Sequence, residues 1–393
     1  MRNNLRADNK KILAIDASRN RSGGARAHLV GILDEFDIKQ SGFDEVHLWS
    51  YKELLDIIPE KKWLVKHSPK QLSKSILSQL YWQRFTFPIE LKKINCSILL
   101  NTDAGTVSKF LPCVTMSRDM LSYEPGEINR YGLTFARLRL ELLKLVQSKS
   151  LKRASGAIFL TKHALKVIQK HSGEIKNYAL IPHGVGENFR NNQQSIEWPS
   201  GSQTPIRCIY VSPTWRFKHQ WQVVKAIESL RRDGINITLT LVGGGSGKAL
   251  KDLNKQISKS DPKKSFVKQI EFVNHDLLPG LLSNSHICIF ASSCENMPNS
   301  LVEGMASGLP IACSDRGPMP EILKDGGLYF NPENNNSITY AIKTLIHDPI
   351  LRRELAAKAM KYSEKYSWSN CSKDTWQYLD KVLHDYNNKH NSY

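Results

Sequence analysis

The sequence predicts an α/β protein of two domains, each built on a parallel sheet. Three observations predict it. The chain has 393 residues, enough for two cores of ordinary domain size. Short apolar runs alternate with longer helical stretches along both halves, which is the pattern of parallel strands joined by crossover helices. A stretch rich in Asn, Gln, Ser and Pro at 191–205 has little to bury and separates the halves. We therefore expect a first domain over 1–190, a linker over 191–205, a second domain over 206–368 and a terminal helical segment over 369–393.

In the first half, strands are expected at 11–16, 45–50, 97–101, 113–117, 156–160 and 178–181. A loop holding Gly23 and Gly24 follows the first strand and leads into a helix over 25–35. In the second half, strands are expected at 206–211, 237–242, 270–273, 287–290, 310–313 and 328–330. From 335 to about 388 the chain reads as consecutive helices. Trp376, Leu379 and Val382 recur at helical spacing and give the last helix an apolar face. The halves are alike in plan, with no sequence repeat relating them.

Composition narrows the class. Hydrophobic residues make up 40% and charged residues 23%, as in soluble globular proteins. No run of about 18 apolar residues occurs, so no membrane span is expected. Residues 1–8 lack an apolar signal core. The seven cysteines, at 96, 113, 208, 288, 294, 313 and 371, form no Cys-x-x-Cys pair, the usage of reduced cysteines in a cytoplasmic protein. The net charge of +18 is uneven, with 31 Lys and Arg against 18 Asp and Glu in residues 1–190. Such a field attracts polyanions or an anionic membrane surface. Residues 126–153 mix Arg130, Arg137, Arg139, Lys144, Lys149, Lys152 and Arg153 with leucines. That mixture suits a helix resting on an anionic membrane, or a core-packed helix with a solvated basic face.

The stretch 291–310, ASSCENMPNSLVEGMASGLP, carries the most chemistry. It follows the expected strand at 287–290 and opens a helix near Asn299 that ends at Gly308. Glu295 then lies in the loop at the carboxyl end of a buried strand, where doubly wound sheets bind ligands. Glu303 lies about one turn into the helix. The backbone N–H groups of Asn299, Ser300 and Leu301 at the helix start suit a diphosphate.

This segment resembles the signature of retaining glycosyltransferases of family 4, in which Glu, seven residues and a second Glu precede a small-residue helix. The resemblance continues through Gly308–Asp315, Gly317–Gly326 and Leu328–Pro332, and runs from about Pro205 to Trp368. It implies a GT-B fold: two Rossmann-like doubly wound domains facing across a cleft, with the last helix crossing back to the first domain. The segment SPTWRFKHQW at 212–221 resembles the one whose Lys binds the donor diphosphate, and Lys218 is the matching residue. The family's Arg belongs at Ser212 or Pro213. Here Arg216 is the nearest cation, and we expect it to assist Lys218. Gly23 and Gly24 resemble the family's glycine loop near the donor phosphate. The segment IPHGVGENF at 181–189 resembles the end of the family's first domain, with His183 as a structural residue in place of Asn. Arg118 stands where the family carries His, and Asp119 matches, which puts both on the sugar and acceptor side.

The loop VGGGSGK at 242–248 is not a phosphate-binding P-loop, because Val242 and Ala249 stand where Gly and Ser or Thr are required. Gly243, Gly244 and Asn274 are expected near the donor instead. No metal-ligand spacing occurs, so neither metal nor other cofactor is expected. The resemblance implies a cytoplasmic, retaining hexosyltransferase acting in cell-surface polysaccharide synthesis and peripheral to the inner membrane face. It would transfer a sugar from a nucleotide-sugar to a glycan or lipid-linked acceptor. Glu303 would hold the ribose, and Glu295 would lie over the donor sugar. Two alternatives are a GT-B nucleotide-sugar epimerase and a basic nucleic-acid-binding protein. The second lacks any helix-turn-helix, zinc-finger or aromatic RNA-binding motif, and nucleic acid is not an expected partner.

Overall fold

The computed structural model describes residues 10–21, 23–192, 196–201 and 203–391. Residues 1–8, and positions 193–195 and 202 of the expected linker, lie outside the described residues. The chain divides into two compact units. Unit 1 takes the chain up to Tyr123, then Leu133–Gly184 and everything from Trp368 onward. Unit 2 takes Glu124–Gly132 and Val185–Ser367.

Unit 1 is built on a seven-stranded sheet of β1 (Ile12–Asp16), β2 (Glu45–Trp49), β3 (Leu64–His67), β4 (Ile98–Asn101), β5 (Cys113–Met116), β6 (Gly156–Phe159) and β7 (Tyr178–Leu180). Their order is β3-β2-β1-β4-β5-β6-β7, and every pairing is parallel. Unit 2 has six strands: β8 (Ile206–Val211), β9 (Ile237–Val242), β10 (Val267–Ile270), β11 (Ile287–Phe290), β12 (Ile311–Ser314) and β13 (Leu328–Phe330). Their order is β10-β9-β8-β11-β12-β13, again all parallel. The central strands β1, β4, β5, β11 and β12 are buried on both faces, which is why they read as continuous apolar runs. Both units are Rossmann-like. Strand order reverses between β1 and β4 in unit 1 and between β8 and β11 in unit 2. The loops leaving those pairs diverge there and open a crevice for ligands.

The structure differs from the sequence reading in five places, one being that Glu124–Gly132, inside the expected first domain, belongs to unit 2. Strand β3 was not expected, because Lys61, Lys62, Lys66 and His67 break the apolar pattern of this edge strand. Strand β10 lies three residues earlier than 270–273. Its register pairs Val267 with Leu239 and Ile270 with Val242, where β9 ends, and Phe272 beyond it is 85% exposed. Gly23 and Gly24 form the first turn of the helix Gly23–Asp34 rather than a loop before it. The contact boundary between the units falls at Gly184, before the polar stretch. There the Val185 N–H donates to Tyr366 O at 3.1 Å and Arg190 Nη2 donates to Ser363 O at 2.9 Å, which ties 185–190 to unit 2.

The last helix, Trp368–Asn391, belongs to unit 1 and buries Trp376, Leu379 and Val382. It packs on Gly23–Asp34. Ser372 Oγ donates to Ile32 O at 2.8 Å, and the Trp376 and Phe36 rings meet edge to face at 4.4 Å. The Trp368 indole packs against Gly31, where a Cβ would fall 2.4 Å from it. Gly31→Ala is therefore expected to destabilise the protein by about 1–3 kcal/mol through overpacking, read as a lower urea midpoint.

Candidate functional site

The site in unit 2 grows from the two strands that flank its switch point. After β8, the loop over 212–219 contains the tight turn Arg216–Lys218. After β11, residues 291–298 lead into the helix Asn299–Ala306. The loops are stitched together. The Ser293 N–H donates to Phe217 O at 2.8 Å, and His219 Nε2 and Ser293 Oγ lie 2.9 Å apart. Tyr210 donates its hydroxyl to Lys218 O at 2.8 Å from beneath. His219 adopts the left-handed conformation at φ 47°, which turns the chain from Lys218 into the helix Gln220–Arg232.

This framework presses the Lys218 ammonium onto Glu295. Lys218 Nζ and Glu295 Oε1 form an ion pair, with side-chain exposures of 8% and 13%. The ammonium also lies 5.4 Å from the ring centroids of Phe217 and Phe290, a partly apolar cage that favours a cation. Glu303, on the helix that follows, accepts from or pairs with His275 Nε2 at 3.0 Å. That contact raises the His275 pKa above its usual value. The structure thus brings Lys218, Glu295 and Glu303 to one sheet edge, with His275 as a partner for Glu303. Asn274 precedes His275 at the head of its turn.

The remaining residues expected in unit 2 take other positions. Arg216 does not stand beside Lys218 as a second phosphate cation. It donates to the Arg130 carbonyl and lies 5.2 Å over the Tyr131 ring, because 124–132 packs into this unit. Arg130 is likewise not a solvated member of a basic helix. It pairs with Glu127 at 2.9 Å and Glu333 at 2.5 Å. At the helix start, Pro298 is the cap and Asn299 the first helical residue. The Asn299 and Leu301 amides donate within the turn to Met297 O and Pro298 O, at 3.0 Å each, and Ser300 lies between them. Gly243 is explained by packing, since a Cβ there would fall 2.4 Å from Ser212 O. Gly244 packs against Glu271 O.

In unit 1 the loops after β1, β4 and β5 converge. Arg118 Nη2 donates to Asn20 Oδ1 at 2.8 Å and lies 3.7 Å from Asp103, so its partner is Asp103 rather than Asp119. Asp119 caps its own turn by accepting from the Leu121 N–H at 2.9 Å, and burial raises its pKa. His183 is buried and stacked on His28 with ring centroids 4.5 Å apart. Burial, then the neighbouring His183 and Arg118, hold His28 well below the ordinary imidazole range, so it is a neutral packing group. Gly23, at φ 59°, has open space where a side chain would be.

Glu127, His219, Ser293 and His275 were not singled out as side chains by the sequence reading. Only His219 and Ser293 gave a local signal, as neighbours of Lys218 and Glu295. Among the described residues, no group of three or more His, Cys, Asp or Glu side chains is arranged to hold a metal ion.

Residues 192–362 match the family Glycosyl transferases group 1. O-antigen chain mannosyltransferase B of Escherichia coli is 24% identical over 124 residues, covering 32% of this chain and 32% of that protein. The chain thus aligns with about a third of the length of that curated relative. Sucrose-phosphate synthase from Thermosynechococcus elongatus shares the fold at a TM-score of 0.75 and 15% identity, over 96% of this chain and all of that one. Anabaena HepE in complex with UDP and glucose shares it at 0.70 and 17%, over 95% of this chain and all of that one. The protein therefore has the GT-B fold, and within it residues 192–362 are similar to the glycosyl transferases of group 1.

Two expectations follow for this site. Removing either partner alone, by Lys218→Ala or Glu295→Ala, strands a buried charge and should cost about 3–5 kcal/mol. Lys218→Met with Glu295→Leu should cost less than the sum of the two losses, measured by chemical denaturation. The His219 pKa is lowered to about 4, first by burial and then by the charge of Arg130. In the unfolded chain it titrates near the ordinary imidazole value of 6.5, so stability is complete above that pH. It falls as pH drops toward 4, because only the unfolded state accepts the proton. His219→Asn, which tolerates the left-handed turn, should flatten that acid limb of the stability curve by roughly 2–3 kcal/mol.

Proposed function

We propose that the protein is a retaining glycosyltransferase of family 4, a hexosyltransferase that moves a sugar from a nucleotide-sugar to a glycan or lipid-linked acceptor. Its setting is cell-surface polysaccharide synthesis, on the cytoplasmic side of the membrane and peripheral to it. The observation that carries this reading is the Lys218–Glu295 pair at the switch point, with Glu303 eight positions further along. The relatives support it: one is named for O-antigen chain mannosyl transfer, and another was solved with UDP and glucose.

In this reading Lys218 holds the donor diphosphate and offsets the negative charge that grows on it as the bond to the anomeric carbon breaks. Glu295, released from Lys218 by the incoming diphosphate, faces the sugar and supports positive charge at the anomeric carbon. Glu303 holds the ribose hydroxyls. The acceptor hydroxyl attacks from the face the diphosphate leaves. Its oxygen forms the new glycosidic bond, and its proton passes to the departing phosphate oxygen. Configuration is then retained without a protein nucleophile. Arg118, with its side chain 8% exposed and 3.7 Å from Asp103, would in this reading meet an anionic group on the acceptor side. The basic first half supplies attraction to an anionic membrane surface.

Thermal unfolding with UDP, GDP, ADP and their sugar conjugates tests donor binding. One nucleotide should raise the midpoint, and Glu303→Ala should abolish that rise. With the donor class known, Glu295→Ala and Lys218→Ala, each checked for intact fold at the assay temperature, should lower turnover about a hundredfold. That corresponds to ~3 kcal/mol of lost transition-state stabilisation. Near-normal turnover in both would overturn the assignment, and conversion of the donor sugar without an acceptor would point to an epimerase.

A further inference from the structure

Unit 1 carries a cavity of about 430 Å³ that the transfer site does not use. It lies between the helical segment Ile76–Thr86, the loop at 106–109 and the last turns of the helix Phe135–Arg153. Leu80, Val107 and Val146 give it apolar walls. Arg84, Lys109, Lys149 and Arg153 add four cations, and no carboxylate lines it. Among the described residues none of these cations is paired with an Asp or Glu. Behind the wall, Ser150 Oγ, on a residue only 3% exposed, and Arg153 Nε are shut away from water without a partner, and Arg153 Nη2 donates to Ser108 O. An open, largely apolar pocket rimmed by cations without carboxylate partners is complementary to an anion carried on a hydrocarbon.

The surroundings indicate where such a ligand comes from. On the inner side of the first segment, Glu90 accepts from the indoles of the buried Trp49 and Trp82, at 2.9 and 3.2 Å, so that face is committed to the core. Its outer face leaves Leu77 at 74%, Tyr81 at 63% and Phe85 at 55% exposure. On the other wall, Leu138, Leu142 and Leu145 are each more than half exposed, and they continue the helical face that carries Val146 and Lys149. The buried residues of this nineteen-residue helix are Gln147, Ser150 and Leu151 alone, so its early leucines have no place in a core. Exposed apolar side chains on both sides of a cationic cavity are the arrangement of a surface that dips into a bilayer.

We infer that this cavity seats the headgroup and first carbons of an anionic phospholipid, while Leu77, Phe85, Leu142 and their neighbours enter the membrane around it. The inference rests on the membrane part of the proposal above and on none of the transfer chemistry. Flotation of the full chain with vesicles tests it, using phosphatidylcholine alone and phosphatidylcholine with phosphatidylglycerol. The protein should float with the anionic vesicles and remain behind with the neutral ones, and millimolar inorganic phosphate should not release it. Arg84→Glu with Lys149→Glu should weaken partitioning at least about twenty-five-fold, taking about fivefold for each cation. Val107→Trp fills the chamber without changing charge and should weaken it about tenfold; Ser150→Met replaces it if that variant does not fold. Equal flotation with neutral vesicles would overturn the inference. So would a filled chamber that binds like the wild type, since the surface would then act through charge alone. Nucleotide-induced thermal shifts measured on the same variants should be unchanged, which separates failure of this inference from failure of the donor assignment.

Discussion

The ion pair between Lys218 and Glu295 is the constraint around which unit 2 is organised. Its partners leave the sheet from β8 and β11, which are adjacent in space but separated by about eighty residues of chain. Both charges are largely withdrawn from water, and neither is tolerable there alone. The flanking contacts serve to bring them together. Ser293 is fastened to Phe217 and His219, and Tyr210 holds the Lys218 carbonyl. Gly243 lets the neighbouring chain pass close to Ser212. Such a pair adds little net stability over an apolar replacement, but it fixes one geometry. In the proposed reaction, Glu295 is the counter-ion Lys218 keeps until a diphosphate replaces it.

A second layer comes from a distant part of the chain. Glu127 is 3% exposed, accepts from Ser293 Oγ at 2.6 Å and pairs with Arg130. Arg130 continues to Glu333, and Arg216 fastens the Arg130 carbonyl and Tyr131. The segment 124–132 thereby braces the Glu295 loop from behind, two residues from the carboxylate. Arg216 is consumed by that bracing, which leaves Lys218 as the cation next to Glu295.

The sequence was most legible where one strand and one loop suffice to place a residue. Glu295 and Glu303 needed only the apolar run at 287–290 and the small-residue helix after it. Lys218 needed only its position after β8. Legibility failed where a side chain's role depends on a partner far along the chain. The contacts of Arg216 with the Arg130 carbonyl and the Tyr131 ring, about 86 residues away, leave no local trace. Arg118 lies next to Asp119 in sequence yet pairs with Asp103, because the loop after β4 brings that carboxylate across. The edge strands failed for another reason. Strands β3 and β10 are half exposed and carry lysines, so the period-2 signal is weak and hydrogen bonding to β2 and β9 sets their extent.

The same distinction resolves the charge of the chain. Its excess of Lys and Arg is concentrated in the first half, which composition alone reads as one diffuse basic surface. The structure separates two kinds of cation. Those in unit 2's candidate site are each answered: Lys218 by Glu295, Arg130 by two glutamates, Arg216 by a backbone carbonyl. Among the described residues, Arg84, Lys109 and Lys149 in unit 1 have no carboxylate partner and sit among exposed leucines and aromatics, while Arg153 beside them is held by the Ser108 carbonyl. A compensated cation is inexpensive to bury and holds a geometry. An uncompensated one beside apolar surface gains most when an anion and a hydrocarbon arrive together. Such a ligand satisfies the charge and removes the apolar area from water in a single event.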